Sequence, residues 1–174
     1  RMARHNARYL VHHYFPEETV ADYGRKFDHM AEELQEDYGI DCSGLRGRDR
    51  DSLVESIGDL LVDRLEEAES RFGEEGFEEL GKQLFLHTGD DLWTAQLSYL
   101  QELMSSIQHD FHSHQAGLSE YVLQAFKEQG VFRQHLTSSF LSRLVRFPTP
   151  GAPAQPTVKG HLLEGDLAHD AALV

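Results

Sequence analysis

The sequence predicts an all-α protein: a small helical bundle, then a long antiparallel helical hairpin, then a proline-rich C-terminal tail. Apolar residues recur every three or four positions in several long segments, the spacing that places them on one face of a helix. No segment shows the persistent alternation of apolar and polar residues that is typical of a half-buried strand. Four of the five prolines fall within nine residues near the C-terminus, which leaves the long helical patterns free of proline.

The first two helices have clear stop signals. Residues 2–14 contain no helix breaker, and Pro16 ends this helix because the residue before a proline is driven out of the α region. A second helix is predicted over about 18–37, and Gly39 is a natural C-terminal stop. The apolar positions of the second helix share one face: Val20, Tyr23, Phe27, Met30, Leu34 and Tyr38.

A glycine-rich loop at 39–51 precedes a third helix, for which Ser52 or the aspartate before it is the predicted N-cap. Ser52 followed by Glu55 also matches the capping-box pattern. Gly73 and Gly76 bracket the turn into the next element. The predicted core face of the third helix consists of Leu53, Ile57, Leu60, Leu61, Leu65, Ala68 and Phe72.

The longest helical pattern spans 77–107 and carries the only tryptophan, Trp93. We expect this ring to be a core anchor, and an exposed ring would instead indicate a partner contact. Thr88 and Asp91 match a capping box around Gly89, which predicts a long element that is kinked or interrupted there. The alternative is one continuous helix that Gly89 weakens by about 1 kcal/mol relative to alanine.

A further helical pattern over 118–146 follows a polar, histidine-rich stretch at 108–117. Two long amphipathic helices joined by a short polar segment are typical of a helical hairpin. The composition then turns proline-rich, which indicates an extended linker. We therefore divide the chain into a bundle at 1–75, a hairpin at 76–146 and a linker with a tail at 147–174.

Composition excludes several classes of function. The formal charge of −14 disfavours nucleic acid, because a phosphate backbone repels an acidic chain. The single cysteine, Cys42, allows neither an internal disulfide nor a multi-cysteine zinc site. No apolar run approaches the roughly 18 residues of a transmembrane segment. The motifs of phosphate cradles, zinc proteases and serine hydrolases do not occur, so an isolated enzyme is the least favoured class.

One cluster of side chains invites a metal hypothesis. His109, Asp110, His112 and His114 bring three imidazoles and a carboxylate within six residues, and such groups bind Zn²⁺ or Ni²⁺. The spacing matches no standard zinc site, and no distant cysteine or histidine completes it. We interpret the cluster as an exposed polar hairpin tip and keep the metal site as the alternative. The many carboxylates elsewhere are interpreted as solvated helix faces.

Six short phrases stand at the ends or along the faces of these helices. The first two close the first and second helices, the next three lie on the long element, and the last opens the return helix. They are Tyr14-Phe15-Pro16, Asp37-Tyr38-Gly39-Ile40-Asp41, Asp90-Asp91-Leu92-Trp93, Gln96-Leu97, Tyr99-Leu100 and Glu120-Tyr121.

In this order, the phrases resemble the C-terminal helical region of the SecA preprotein translocase ATPase family, over about 8–146. That family has a helical wing, a long scaffold helix and a two-helix finger in the same sequence. Gln96 stands where the family usually has histidine. The finger-loop phrase of the family and its cysteine-rich zinc tail have no counterpart here.

The resemblance implies a non-catalytic helical part of a SecA-like translocation motor, which couples ATPase state to polypeptide or channel contact. It implies no cofactor in this chain, with ATP and Mg²⁺ bound by a parent motor. The implied partners are motor domains of the same protein, translocating polypeptide and a membrane channel. The implied location is cytoplasmic, with peripheral association at the inner membrane. The alternative is a stand-alone helical adaptor or chaperone-like module that binds a partner through an exposed apolar stripe.

The resemblance also nominates residues. We expect polypeptide or partner contact at the hairpin tip, from His109, Phe111, His112 and His114, with Phe111 as the positional candidate for the tip aromatic of the family. A hinge is expected near Gly89 or at the turn before the hairpin. The expected structural anchors are Trp93, Leu92, Tyr99, Tyr121 and Pro16.

Overall fold

The computed structural model describes residues 1–16, 22–110 and 114–148, with side chains for all of these except 108–110 and 114–116. The all-α prediction is confirmed, since the described residues form five α-helices and one short 3-10 helix, with no strand among them. The helices are α1 (Met2–Tyr14), α2 (Tyr23–Tyr38), α3 (Arg50–Phe72), α4 (Glu74–Asp110) and α5 (His114–Arg146), with the 3-10 helix at Ser43–Leu45.

The hydrophobic core lies where α1, α2 and α3 meet the C-terminal end of α5. Leu141 and Val145 of α5 belong to the same buried cluster as the side chains of the first three helices. The bundle therefore does not close its core alone, and the hairpin completes it. The division of the chain at residue 75 remains a prediction. The largest side chains that are almost fully buried in this core are Phe27, Met30, Leu34, Tyr38, Leu53, Ile57 and Leu61.

The predicted ends of the first two helices are confirmed. α1 ends at Tyr14, two residues before Pro16. α2 ends at Tyr38, and Gly39 follows with φ of +67°, a left-handed conformation that glycine adopts without steric cost. The amide of Ile40 then donates to the carbonyl of Leu34 at 3.1 Å, which closes the last turn.

The predicted start of α3 is wrong. The N-cap is Asp49, whose Oδ1 accepts a hydrogen bond from the amide of Ser52 at 3.0 Å. The Ser52 hydroxyl also donates to Asp49 Oδ2 at 2.6 Å, so it is not available as the cap of a box with Glu55. The turn before α4 is shorter than predicted, because Gly76 lies inside α4 and Gly73 alone separates the helices.

The long element is not interrupted. α4 continues through Gly89, so the continuous-helix alternative is correct and the capping-box prediction at Thr88 is wrong. The physical reason is that Thr88 is fully buried and its Oγ1 accepts a hydrogen bond from Arg143 Nη1 at 3.1 Å. The hydroxyl is therefore engaged by the neighbouring helix and does not cap a new one.

α4 and α5 pack against each other as the predicted hairpin. The rings of Phe85 and Phe140 meet edge to face at 5.5 Å between centroids, and those of Trp93 and Phe132 meet at 5.9 Å. The polar joining segment is shorter than predicted, because α4 continues to Asp110 and α5 begins at His114. Most of the segment predicted at 108–117 is therefore helical.

Candidate functional site: the junction between the bundle and the hairpin

A buried polar network joins the bundle to the hairpin. Asn6 of α1 is fully buried, and its Nδ2 donates to the hydroxyl of Tyr38 on α2 at 2.8 Å. Its Oδ1 accepts from Gln134 Nε2 at 3.0 Å and from Ser138 Oγ at 2.8 Å, both on α5. One side chain thus links α1 and α2 to α5, which is distant in sequence.

A buried polar group that loses its hydrogen-bond partner lowers the free energy of unfolding. A network in which every polar group is paired fixes one packing arrangement of the helices. Burial raises the pKa of the Tyr38 hydroxyl, so Tyr38 remains a neutral donor and acceptor. Asn6 shares the buried face of α1 with Ala3, Ala7 and Leu10. The network therefore sets the register of the bundle on α5.

Further hydrogen bonds fasten the C-terminal end of α5. Ser142 Oγ donates to the carbonyl of Asp37 at the end of α2, at 2.8 Å. Arg71 Nη2 of α3 donates to the carbonyl of Val145, also at 2.8 Å. Because Arg71 reaches one of the last carbonyls of α5, a positive charge lies at the negative end of that helix dipole.

Arg143 connects α5 to α4. Its Nη1 donates to Thr88 Oγ1 and to Asp91 Oδ2, at 3.1 Å in both cases. His87 Nδ1 lies 3.0 Å from the same Asp91 oxygen. These contacts bridge the turn of α4 that contains Gly89, so they brace the position where the sequence suggested a hinge. The end of α5 is thus held by α1, α2, α3 and α4 together.

Asp37 is the carboxyl group whose pKa this junction raises. Burial raises the pKa of its carboxyl to about 6, the nearby charge of Glu33 acts in the same direction, and Arg146 opposes the rise. A carboxyl with a raised pKa favours folding most when it is protonated. The contribution of Asp37 to the free energy of unfolding is therefore complete below the ordinary pKa of 3.8. It is lost as the pH rises through about 6.

We predict that Asp37→Asn stabilises the chain at pH 7.5 and has little effect at pH 4. The neutral amide avoids the cost of burying a charge, and we expect a gain of about 1 kcal/mol once the partial exposure of Asp37 is allowed for. Urea denaturation at both pH values measures this difference. Glu55→Gln, at an exposed site on α3, is the matched control. Equal effects of Asp37→Asn at both pH values would contradict the prediction.

A comparison with known protein families identifies the family to which this chain belongs. A family model described as the SecA wing and scaffold domain matches residues 1–147. The chain belongs to the SecA wing and scaffold family. The resemblance seen in the sequence is therefore confirmed, and the matched domain is a non-catalytic part of SecA. No solved structure matches the chain.

Within this wing and scaffold chain, the predicted tip residues fall outside the described side chains. His109 lies in the last turn of α4, and His114 is the first residue of α5. Phe111 and His112 lie outside the described residues. Contact with polypeptide and the alternative metal site at this tip therefore remain predictions. Among the side chains that are described, no group of three histidine, cysteine or acidic residues is placed to hold a metal ion.

The predicted anchors differ in burial. Trp93 is 52 % exposed, so the expected place of its ring in the core is wrong. The ring lies on the hairpin, where it meets that of Phe132 edge to face. Pro16 is exposed, and its carbonyl accepts from Arg50 Nη1 at 3.2 Å. The other three anchors are half-buried along the hairpin: Leu92, Tyr99 and Tyr121.

Sequence reasoning missed the polar residues of the junction. A signal was present: Asn6 lies on the α1 face that carries Ala3 and Leu10, and Gln134 lies on the α5 face that carries Leu141 and Val145. A polar residue at an apolar helical position indicates a buried hydrogen-bond partner. Periodicity alone does not identify that partner.

Proposed function

We propose that this chain is the non-catalytic helical part of a SecA-like protein-translocation motor, and that it couples ATPase state to polypeptide or channel contact. The observation that carries the coupling role is the junction, where bundle and hairpin share one core and one buried polar network. From Gln134 back to His114, α5 continues for about 30 Å at 1.5 Å per residue. A hairpin that is fastened at one end and projects this far has the geometry of a lever.

This proposal assigns the chemistry to other parts of the protein. ATP and Mg²⁺ would bind to motor domains of the same protein, and the hairpin would meet translocating polypeptide and a membrane channel. We propose a cytoplasmic location with peripheral association at the inner membrane. No described helix combines the length and the apolar character needed to cross a membrane.

A stand-alone adaptor or chaperone-like module is the second candidate. Large apolar side chains that are exposed on the hairpin, such as Phe126 at 74 % and Leu118 at 59 %, favour it, because such patches mark interaction surfaces. The reading frame upstream of this chain distinguishes the two. A phosphate-binding Walker A motif upstream supports the motor, and a start codon immediately before this region supports the adaptor.

Replacing residues 108–117 of the full-length protein by a glycine-serine segment of equal length tests the lever. We expect protein transport to be lost while basal ATP hydrolysis and the helical circular dichroism signal are retained, because the tip lies far from the junction. The control replaces Glu78 and Lys82, an exposed ion pair on α4, by serine, and should leave transport intact. Unchanged transport in the tip variant would refute the coupling role.

A further inference from the structure

A set of polar side chains lies where the hairpin leaves the junction, and we name it the Arg143 latch: Arg143, Thr88, Asp91 and His87. Arg143 Nη1 on α5 donates to Thr88 Oγ1 and to Asp91 Oδ2 on α4, at 3.1 Å in both cases. His87 Nδ1 lies 3.0 Å from the same carboxylate oxygen. Thr88 is fully buried, and the other two partners are close to half exposed. One guanidinium nitrogen therefore holds both ends of the α4 turn that contains Gly89.

The same turn of α4 carries the sequence signals of a helix start. Thr88 with Asp91 matches the capping-box pattern, in which the hydroxyl of the first residue accepts from the amide three positions on. Asp90 and Asp91 would then lie in the first turn, where the positive end of the helix dipole favours carboxylates. Inside a continuous helix they gain nothing from the dipole, and a glycine such as Gly89 is about fivefold less favourable there than alanine.

The continuous helix and the capped helix exclude each other at this turn. In the continuous helix, Thr88 has a helical backbone and the amide of Asp91 donates to the carbonyl four residues before it. As an N-cap, Thr88 takes an extended backbone and its hydroxyl accepts from the amide of Asp91 instead. Arg143 stabilises the continuous helix, because it engages the Thr88 hydroxyl and the Asp91 carboxylate that the capped helix needs.

We propose that the Arg143 latch controls a bend in the hairpin. When the latch is closed, α4 runs straight through Gly89; when it is open, α4 breaks there, and Thr88 becomes the N-cap of the distal part. Arg143 is held on the bundle, because its neighbour Ser142 donates to the carbonyl of Asp37 at 2.8 Å. A displacement of the end of α5 along α4 therefore opens the latch. Only the consequence of this bend for transport rests on the proposed function.

α5 is able to follow such a bend. The two aromatic contacts between the helices fix their relative heights, and they place Gly130 of α5 about 9 Å beyond Gly89 toward the tip. Each helix of the hairpin thus has an interior glycine near the same level. In the turn after Gly89, Thr94 Oγ1 donates to the carbonyl of Asp90 at 2.9 Å, and bonds of this kind favour bending of a helix.

Arg143→Met in the full chain removes the latch and keeps an unbranched side chain. We expect the amides of Gly89 and Asp90 to exchange at least about tenfold faster, because the bonds of a charged donor are lost and these amides become unpaired at a helix start. The Cα chemical shift of Thr88 should move from the helical to the extended range, while the residues on both sides stay helical. Arg133→Met, the same change at an exposed position of α5, is the control and should change neither.

The two glycines of α4 on either side of residue 85 distinguish a localised break from a general loosening of the helix. A Cβ at Gly89 or at Gly81 meets no described atom within 4 Å, so alanine fits at both positions. In the Arg143→Met background, Gly89→Ala should slow the exchange of the Asp90 amide about fivefold, because alanine favours the continuous helix. Gly81→Ala, which has no capping residue before it, should leave that exchange unchanged.

Thr88→Val tests the cap itself, because it removes the hydroxyl at nearly constant volume. In this background, Arg143→Met should change the exchange of the Asp90 amide by less than about twofold, since the broken helix has lost its cap. A helical Thr88 shift in Arg143→Met, or a loss of helical shifts along the whole of α4, overturns the proposal. An acceleration of about tenfold that persists with Thr88→Val overturns it as well, in favour of a simple packing role for Arg143.

Discussion

Replacing Leu34 by alanine is expected to lower the free energy of unfolding by about 3–5 kcal/mol. Leu34 is fully buried in α2, inside the cluster that α1, α3 and α5 also contribute to. Removing three carbons from such a site loses the transfer free energy of the side chain and leaves a cavity that close-packed neighbours fill only in part. Urea denaturation followed by circular dichroism measures the loss.

Leu86→Ala is the matched control for this prediction, because it makes the same chemical change in another helix. Leu86 on α4 is 66 % exposed, so we expect an effect within about 0.5 kcal/mol. The contrast tests where the core lies. Similar losses at both positions would contradict the assignment of the main core to the bundle with the end of α5.

The second large effect is expected from Asn6→Ala, which should lower the free energy of unfolding by about 2–3 kcal/mol. The substitution removes three hydrogen bonds at once and leaves Gln134, Ser138 and Tyr38 short of partners in a buried place. His5→Ala, at the exposed neighbouring position on α1, is the control and should be near neutral.

A double-mutant cycle separates this network from simple loss of packing. Asn6→Ala and Gln134→Ala remove two ends of the same hydrogen bond, so their effects should be less than additive by about 1 kcal/mol or more. Strict additivity would show that the two side chains contribute independently, and the network would then not be what holds the bundle in register on α5.

The helices were predictable because their signals are local. Apolar spacing and the stop signals at Pro16 and Gly39 lie within one or two turns of the residues they control, and the ends of α1 and α2 agree with them. The capping errors have a different cause. Thr88 matches a local cap pattern, but its hydroxyl is engaged by Arg143, 55 positions away. Local patterns do not include such tertiary contacts.

The junction could not be predicted from local signals for the same reason. Asn6 and Gln134 are 128 positions apart, and spacing shows only that each is polar on an apolar face. The burial of Trp93 was also mispredicted, because helical periodicity identifies a face but does not show whether that face is covered. The family resemblance succeeded because it depended on the order of several phrases rather than on any single contact.

The central claim is that the bundle and the end of α5 form one cooperative unit from which the hairpin projects. Native-state hydrogen exchange on the full chain tests it most directly, because it measures opening free energies segment by segment. We expect amides of 134–146 to exchange with the same free energy as those of α1 and α2, and amides of 117–126 to exchange with a clearly smaller one. Early exchange throughout α5, with α1 and α2 still protected, would contradict the claim.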